Sequence, residues 1–387
     1  MALQSSHTDP SQRALGFQGL DFNWDTYIKY RPFYPTSLYK CRTTDNDNDN
    51  DNDEACFATA HDVGAGPGNV AARLSERFAR VIVSEPNTEF LRIAQARLSS
   101  SLLGSSTGQV QVPVQGQEQE QEAGARDQEK PEMPTSGLLA ARSSSTKQGP
   151  PEHTGFTFLA ESAESSSVAS ASVDLVVIAE ALHWAEIPVA IREFARQLKS
   201  GGTLCVVEYG PLWIVDNEAA QKVWEALFCD VVRDIFFKRG GEDGTVAEDG
   251  DACGGPNVYM LSGRRMATGF DNVGFPEAQW RRGSVERVFT NTGGDRGRIG
   301  FAGREAGLGE ESDAVGADED RRVFVEEDSE WMVWDCDLAW LQGAFVSYVP
   351  GKKVEDDRAR WDEMARALCG GKVTVAWPSV RILATRR

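Results

Sequence analysis

No run of apolar residues in this chain approaches the roughly 18 that a membrane-spanning helix requires. Its first ten residues lack the basic head and apolar middle of a secretory signal. Neither membrane insertion nor export is expected. Cysteine is sparse and scattered: seven residues, an odd number, with no pair at Cys-x-x-Cys spacing. That argues against a disulfide framework and against structural zinc. With only four histidines as well, no metal site is expected, and reduced thiols fit a cytoplasmic setting. Basic residues are in deficit, 40 Lys and Arg against 59 Asp and Glu, for a net charge of −19. A nucleic-acid partner is not expected, because such binding needs a basic face. No internal repeat is visible.

The acidity is local. Residues 45–54 hold six acids and no base, 115–132 six acids and two bases, 241–252 five acids and no base, and 309–329 nine acids and two bases. These stretches account for the whole acidic excess and leave the remainder near neutral. Such segments repel themselves and stay solvated. The Asp-Asn repeat from Asp45 to Asp53 lacks the turn glycine and terminal glutamate of a calcium loop. From Ser100 to Glu152 the composition falls to Ser, Gly, Gln, Glu and Pro, which reads as a second, low-complexity insert.

What is present is a 41% apolar chain, adequate for a packed core, with one informative motif. His61-Asp62-Val63-Gly64-Ala65-Gly66-Pro67-Gly68-Asn69 ends an apolar run, and Glu85 ends the next. This reads as strand, glycine turn, helix, strand and acid. Gly64 and Gly66 permit positive φ and close approach of backbone to a ligand. A dinucleotide fingerprint wants its third glycine five positions after the first, where Asn69 stands. The third glycine comes earlier, at Gly68, which favours S-adenosylmethionine. Glu85 lies where a carboxylate accepts hydrogen bonds from ribose hydroxyls.

Alternating elements follow. Strands are expected at Ala58–Val63, Ala79–Ser84, Phe156–Ala160, Val173–Ile178 and Thr203–Tyr209, and helices at Asn69–Arg77, Thr88–Ser99 and Pro188–Lys199. The continuous apolar run Val173–Ile178 suits a parallel strand buried on both faces. The alternation implies a parallel sheet covered by helices on both sides. Asp216–Lys238 reads as a long amphipathic helix, Trp331–Val349 as helical, and 239–256 and 291–322 as loops.

Four patches in order carry a family resemblance: Trp24-Asp25-Thr26-Tyr27-Ile28-Lys29-Tyr30-Arg31-Pro32-Phe33-Tyr34-Pro35; the glycine loop with Glu85; Ala163-Glu164 followed by Ser172-Val173-Asp174-Leu175-Val176; and Ala181-Leu182-His183-Trp184 followed by Lys199-Ser200-Gly201-Gly202-Thr203-Leu204. The chain resembles class I S-adenosylmethionine-dependent methyltransferases of the type 11 group. Within that group it is similar to the trans-aconitate methyltransferase-like enzymes of fungi and bacteria. The resemblance covers about residues 17–41, 56–100 and 155–237. It implies a Rossmann-like α/β fold, with a seven-stranded, mostly parallel sheet whose last strand is antiparallel. It also implies methyl transfer to a small-molecule acceptor, with a carboxylic acid preferred; the alternative is a non-catalytic cofactor-binding member that acts as a regulatory or interaction module, and a monomer is expected in either case. The expected organisation is a disordered tail at 1–16 and a single domain at 17–387. That domain holds an N-terminal lid at 17–41, inserts at 42–54 and 104–152, a substrate cap at 211–350 and final strands at 372–387.

The resemblance also distributes roles. Asp62, Gly64, Ala65, Gly66, Gly68, Glu85, Pro86, Ser162, Ala163, Glu164, Glu180 and Trp184 are expected around the cofactor. The usual segment after Ala163-Glu164 is replaced by Ser165-Ser166-Ser167-Val168-Ala169-Ser170, a departure that bears on the adenine contacts. His183 lies past the fourth strand, at the sheet edge where open α/β folds bind ligands. It is either a general base or part of the pocket floor. Arg31, in the lid, grips the carboxylate of the cofactor or of the substrate, or else is a surface arginine before a proline. Tyr27 orients substrate or packs the lid.

Overall fold

The computed structural model describes residues 24–32, 34, 57–104, 155–237, 258–305, 320–349 and 352–387. The expected tail, the 42–54 insert, the 239–256 loop and all but Gly104 of the 104–152 insert lie outside the described residues. The strands, in chain order, are β1 (Phe57–Val63), β2 (Phe78–Ser84), β3 (Gly155–Leu159), β4 (Val173–Ala179), β5 (Leu198–Tyr209), β6 (Trp213–Ile214), β7 (Glu286–Thr290), β8 (Arg321–Val325), β9 (Met332–Cys336), β10 (Val373–Ala376) and β11 (Ser379–Thr385). The helices are α1 (Trp24–Tyr30), α2 (Asn69–Leu74), α3 (Thr88–Gly104), α4 (Ile187–Gln197), α5 (Glu218–Phe237), α6 (Val258–Ala267), α7 (Phe301–Glu305), α8 (Leu338–Tyr348) and α9 (Arg358–Leu368).

Eight strands form one sheet in the order β3-β2-β1-β4-β5-β11-β7-β8. The first five are parallel, as their apolar runs predict. β4 shows why. Leu175, Val177 and Ala179 join one apolar cluster with α2 and α3, while Val176 and Ile178 join another with α4. A strand buried on both faces has no use for polar alternation. α4 buries Ile187, Ala190, Ile191, Phe194 and Ala195, the i, i+3, i+4, i+7, i+8 stripe of a helix laid on a sheet. β11 is antiparallel to both of its neighbours, β5 and β7.

Three expectations need correction. The sheet has eight strands rather than seven, because β8 adds beside β7 in parallel. β10 does not enter it: β10 pairs antiparallel with β6 and β9 in a separate three-stranded sheet, so β7 takes the place expected for it. The aromatic segment 331–349 is a strand followed by a helix, with Asp337 capping α8 through the Trp340 N–H.

Residues 291–305 are not a plain loop. Thr292, Gly297, Ile299, Gly300 and Phe301 are buried, and a Cβ at Gly210 would overlap the Ile299 carbonyl. β7 is anchored there by Arg287, which is fully buried. It donates to the Phe270 and Val273 carbonyls and to Asp320. Part of the expected 211–350 cap is therefore sheet scaffold. α5 packs against α8 and α9, with Trp224 edge-on to Phe345 and Phe345 edge-on to Trp361.

Candidate cofactor and acceptor site

The turn after β1 carries Gly64, Gly66 and Gly68 at φ 64°, 52° and 82°. Gly64 is the tightest: a Cβ there would stand 2.5 Å from the Ala181 Cβ. The turn is tied to the end of β2. Ala65 N–H donates to the Ser84 carbonyl at 3.0 Å. The Glu85 carboxylate accepts from Gly66 N–H at 3.0 Å and from Asn87 N–H at 2.9 Å. Glu85 is thus a clamp between loop and strand, with lone pairs remaining on both oxygens. Burial raises its pKa, and the two N–H bonds pull it back. Pro86, half-buried, follows it.

Asp62 lies beneath the loop and is almost wholly buried. It accepts the Ala71 N–H in the first turn of α2, whose own cap residue, Gly68, has no side chain to do so. Its Oδ2 has no hydrogen-bond partner among the described residues. Burial pushes its pKa up to about 8, with Glu85 adding to the rise. The site fits S-adenosylmethionine on two further observations. A buried carboxyl oxygen is left without a donor, and nothing lies within 4 Å of a Cβ built on Gly66.

On the other side of the loop, β4 ends in Glu180, a non-glycine residue at φ 55°. Strain of this kind persists where neighbours over-determine it. Here Glu180 N–H donates to the Val207 carbonyl at 2.9 Å, and its Oε1 accepts the Tyr209 N–H at 2.6 Å. The next turn, Leu182–Trp184, buries His183. Its Nδ1 lies 2.8 Å from Oε2 of Glu208, and Glu208 Oε1 accepts the Leu182 N–H at 3.0 Å. Burial lowers the His183 pKa to about 4. Arg265 and Arg31 add to the fall, and Glu180 opposes it. Arg265, on α6, holds the turn from behind by donating to the His183 and Ala185 carbonyls at 2.9 and 2.7 Å. Burial raises both glutamates, and for Glu180 the neighbouring Glu208 raises it further.

The N-terminal helix lies across this cluster and packs on α8. Arg31, just past α1, stacks on Tyr348 at 4.0 Å and on Tyr27 at 4.9 Å. It donates to Tyr209 Oη at 3.4 Å and to the Ser347 carbonyl at 3.2 Å. It is a held residue, not a free surface arginine. Burial raises the Tyr27 pKa, and the charges of Glu180 and Glu85 add to the rise. Burial keeps Tyr27, Tyr209 and Tyr348 in the neutral phenol form. Tyr34, Tyr209 and Trp331 form a set of edge-on and tilted rings beside them.

Asp62, Gly64, Ala65, Gly66, Gly68 and Glu85 lie at the glycine turn, Glu180 and His183 at the turn after β4, and Tyr27 and Arg31 in and just past α1. Trp184 packs on His183 with ring centroids 4.8 Å apart. Ser162, Ala163 and Glu164 form a half-buried turn closed by a bridge between Ser162 and Ser165. Glu164 is engaged in accepting the Glu186 N–H at the start of α4, at 2.8 Å. Glu208, Arg265, Tyr209, Tyr348 and Trp331 escape the sequence reading. Of these only Glu208 leaves a signal, a lone acid in an apolar β-strand.

A family profile described as a methyltransferase domain matches residues 135–206. Solved structures are also similar. One, described as a putative type II methyltransferase from Anaeromyxobacter dehalogenans, is 16% identical with a TM-score of 0.45, covering 92% of this chain and 98% of that one. Relatives match along almost the whole length. Methyltransferase cfoB of Aspergillus candidus is 26% identical, over 94% of this chain and 94% of its own. Methyltransferase ptaI of Pestalotiopsis fici is 24% identical, over 97% of this chain and 95% of its own. Among the described residues no helix is long and apolar enough to cross a membrane. The profile match spans β3, β4 and the turn that follows with Glu180 and His183, and the long relatives share one name, so the chain is similar to class I S-adenosylmethionine-dependent methyltransferases.

Proposed function

We propose that this methyltransferase acts on a small-molecule acceptor that must lose a proton, such as a phenol or amine, with His183 as the general base. When bound, S-adenosylmethionine supplies a methyl group activated by its sulfonium. The chain's own part is to hold the acceptor in line, exclude water and take one proton at His183 Nε2. The observation that carries this reading is a neutral imidazole buried between two glutamates. Imidazolium formed there is offset by the negative charge that the Glu180–Glu208 pair carries, with Glu208 in direct contact. The same glutamates speak against the carboxylic acid acceptor that the sequence favours. An anionic acceptor would enter beside two buried carboxyl groups, and the N–H groups of Arg31 that would grip it already serve Tyr209 and Ser347. Arg31 Nε, with no hydrogen-bond partner among the described residues, is better used on the cofactor's carboxylate. Asp62 takes the cofactor's amino group, Glu85 its ribose, and Tyr27 closes the lid.

Calorimetry with S-adenosylmethionine should give a micromolar-range Kd, about −8 kcal/mol. Glu85→Ala should weaken it by about 1–3 kcal/mol, through loss of the loop clamp and of the ribose acceptor. A wild type that shows no binding would reduce the chain to a scaffold without methyl transfer. Ring-matched phenols and benzoates, offered with isotopically labelled cofactor, decide the acceptor. Faster transfer to benzoates would overturn the general-base assignment. With the proton taken by an imidazole whose pKa lies near 4, kcat should stay flat between about pH 6 and 8 and fall only on acidification.

A further inference from the structure

We propose that Glu208 is the positioning residue for His183: its carboxylate takes the Nδ1 proton as a hydrogen-bond acceptor, fixes one tautomer of the neutral imidazole and leaves Nε2 as the atom that accepts a proton. This rests on the methyl-transfer reading above and adds a residue to it.

Glu208 is fully buried in β5, an unfavourable place for a carboxylate without partners. Among the described residues its ion-pair partner within 4 Å is His183, its other oxygen is held by the Leu182 N–H, and its side chain also hydrogen-bonds that of Glu180. Both partners come from the same short turn, so Glu208 fixes the turn and the ring together. The remaining groups around His183 are Glu180 at the end of β4, Arg265 from α6 and Arg31 beside α1, with the rings of Trp184 and Phe270 against it. Burial raises the pKa of both Glu180 and Glu208 to about 8, and their side chains hydrogen-bond each other, so near neutrality the pair holds a proton; the Leu182 N–H that Glu208 accepts favours leaving that proton on Glu180. In that state Glu208 has only lone pairs to offer, and the proton of the 2.8 Å contact belongs to Nδ1. Nε2 makes no hydrogen bond to any described residue. A merely structural role would be met equally by glutamine: its carbonyl would accept from Leu182 and its amide would donate to Nδ1. That exchange would reverse the tautomer and put the proton on Nε2.

The test is nitrogen NMR of full-length protein with labelled histidine at pH 7, the His183 signals being assigned by their loss in His183→Asn. The wild type should carry its proton on Nδ1, and Glu208→Gln should move it to Nε2. A wild-type proton on Nε2, or a tautomer unchanged in Glu208→Gln, overturns the proposal. If Glu208→Gln fails to fold, as a thermal melt would show, the wild-type spectrum alone decides. Titration with S-adenosylmethionine separates the two readings: lost cofactor binding with an Nδ1–H tautomer would sink methyl transfer and leave the positioning role standing. On any phenol found to accept methyl groups, Glu208→Gln should lower kcat by about 10²–10⁴-fold, with cofactor affinity unchanged.

Discussion

At the scale of single residues, the site is defined by groups held in the less usual protonation state. Asp62 is the clearest case. Its folded pKa of about 8 stands far above the ordinary value of 3.8, because burial disfavours the anion. The sign follows from proton binding. Between these two values the folded chain holds a proton that the unfolded chain has released, so stability falls as pH rises across that window. Asn at this position keeps an acceptor for the Ala71 N–H and has no proton to lose. Asp62→Asn should therefore be more stable than wild type at pH 8, by about 1–3 kcal/mol in urea denaturation, with the gain shrinking toward pH 5. The same variant should bind S-adenosylmethionine more weakly, since the cofactor's ammonium group would draw Asp62 into its anionic form and an amide cannot follow. A stability gain that is independent of pH would contradict the assigned protonation.

At the scale of elements, the glycine turn and the Leu182–Trp184 turn are fitted to each other. Gly64 carries both constraints, a left-handed backbone and the 2.5 Å approach to Ala181. Gly64→Ala should destabilise the protein by about 2–4 kcal/mol, from αL strain and overpacking together. Ala181→Gly in the same chain should recover the overpacking part only, and thermal melts of the three variants check this. If Ala181→Gly recovers nothing, the two turns are not in contact. What the sequence reveals at this scale follows from how local each signal is. The glycine turn, Glu85 and the apolar strands β1 to β5 are written within short windows. β8 is not, because Arg321–Val325 pairs beside β7 from a distant part of the chain, next to Asp320, which Arg287 reaches across 33 residues. The link between His183 and Glu208 crosses from β4 to β5, and Arg31 finds Tyr348 more than 300 residues along the chain. Such pairings leave no periodicity to read.

At the scale of the whole molecule, much of the chain's length and most of its acidic excess fall in sequence stretches outside the described residues. β2 and β3 are hydrogen-bonded neighbours in register from Arg80 and Gly155 onward, and α3 ends at Gly104. The return from a helix to the next parallel strand normally takes about 2–6 residues, so the sheet itself does not require the long connection used here. Residues 105–134 precede the stretch matched by the methyltransferase-domain profile, and they are rich in Gln, Glu and Gly. That composition offers few apolar side chains to a core. Lengthening or shortening such a connection changes closure entropy only slowly, by about 0.6 kcal/mol per doubling. Deletion of 105–134 should therefore leave the melting temperature within a few degrees of wild type and the affinity for S-adenosylmethionine within about threefold. Differential scanning calorimetry and cofactor titration measure the two. A large drop in both would mean that this segment packs on the sheet or the site. A drop in methyl transfer alone, with folding and cofactor binding intact, would instead assign the segment to the acceptor.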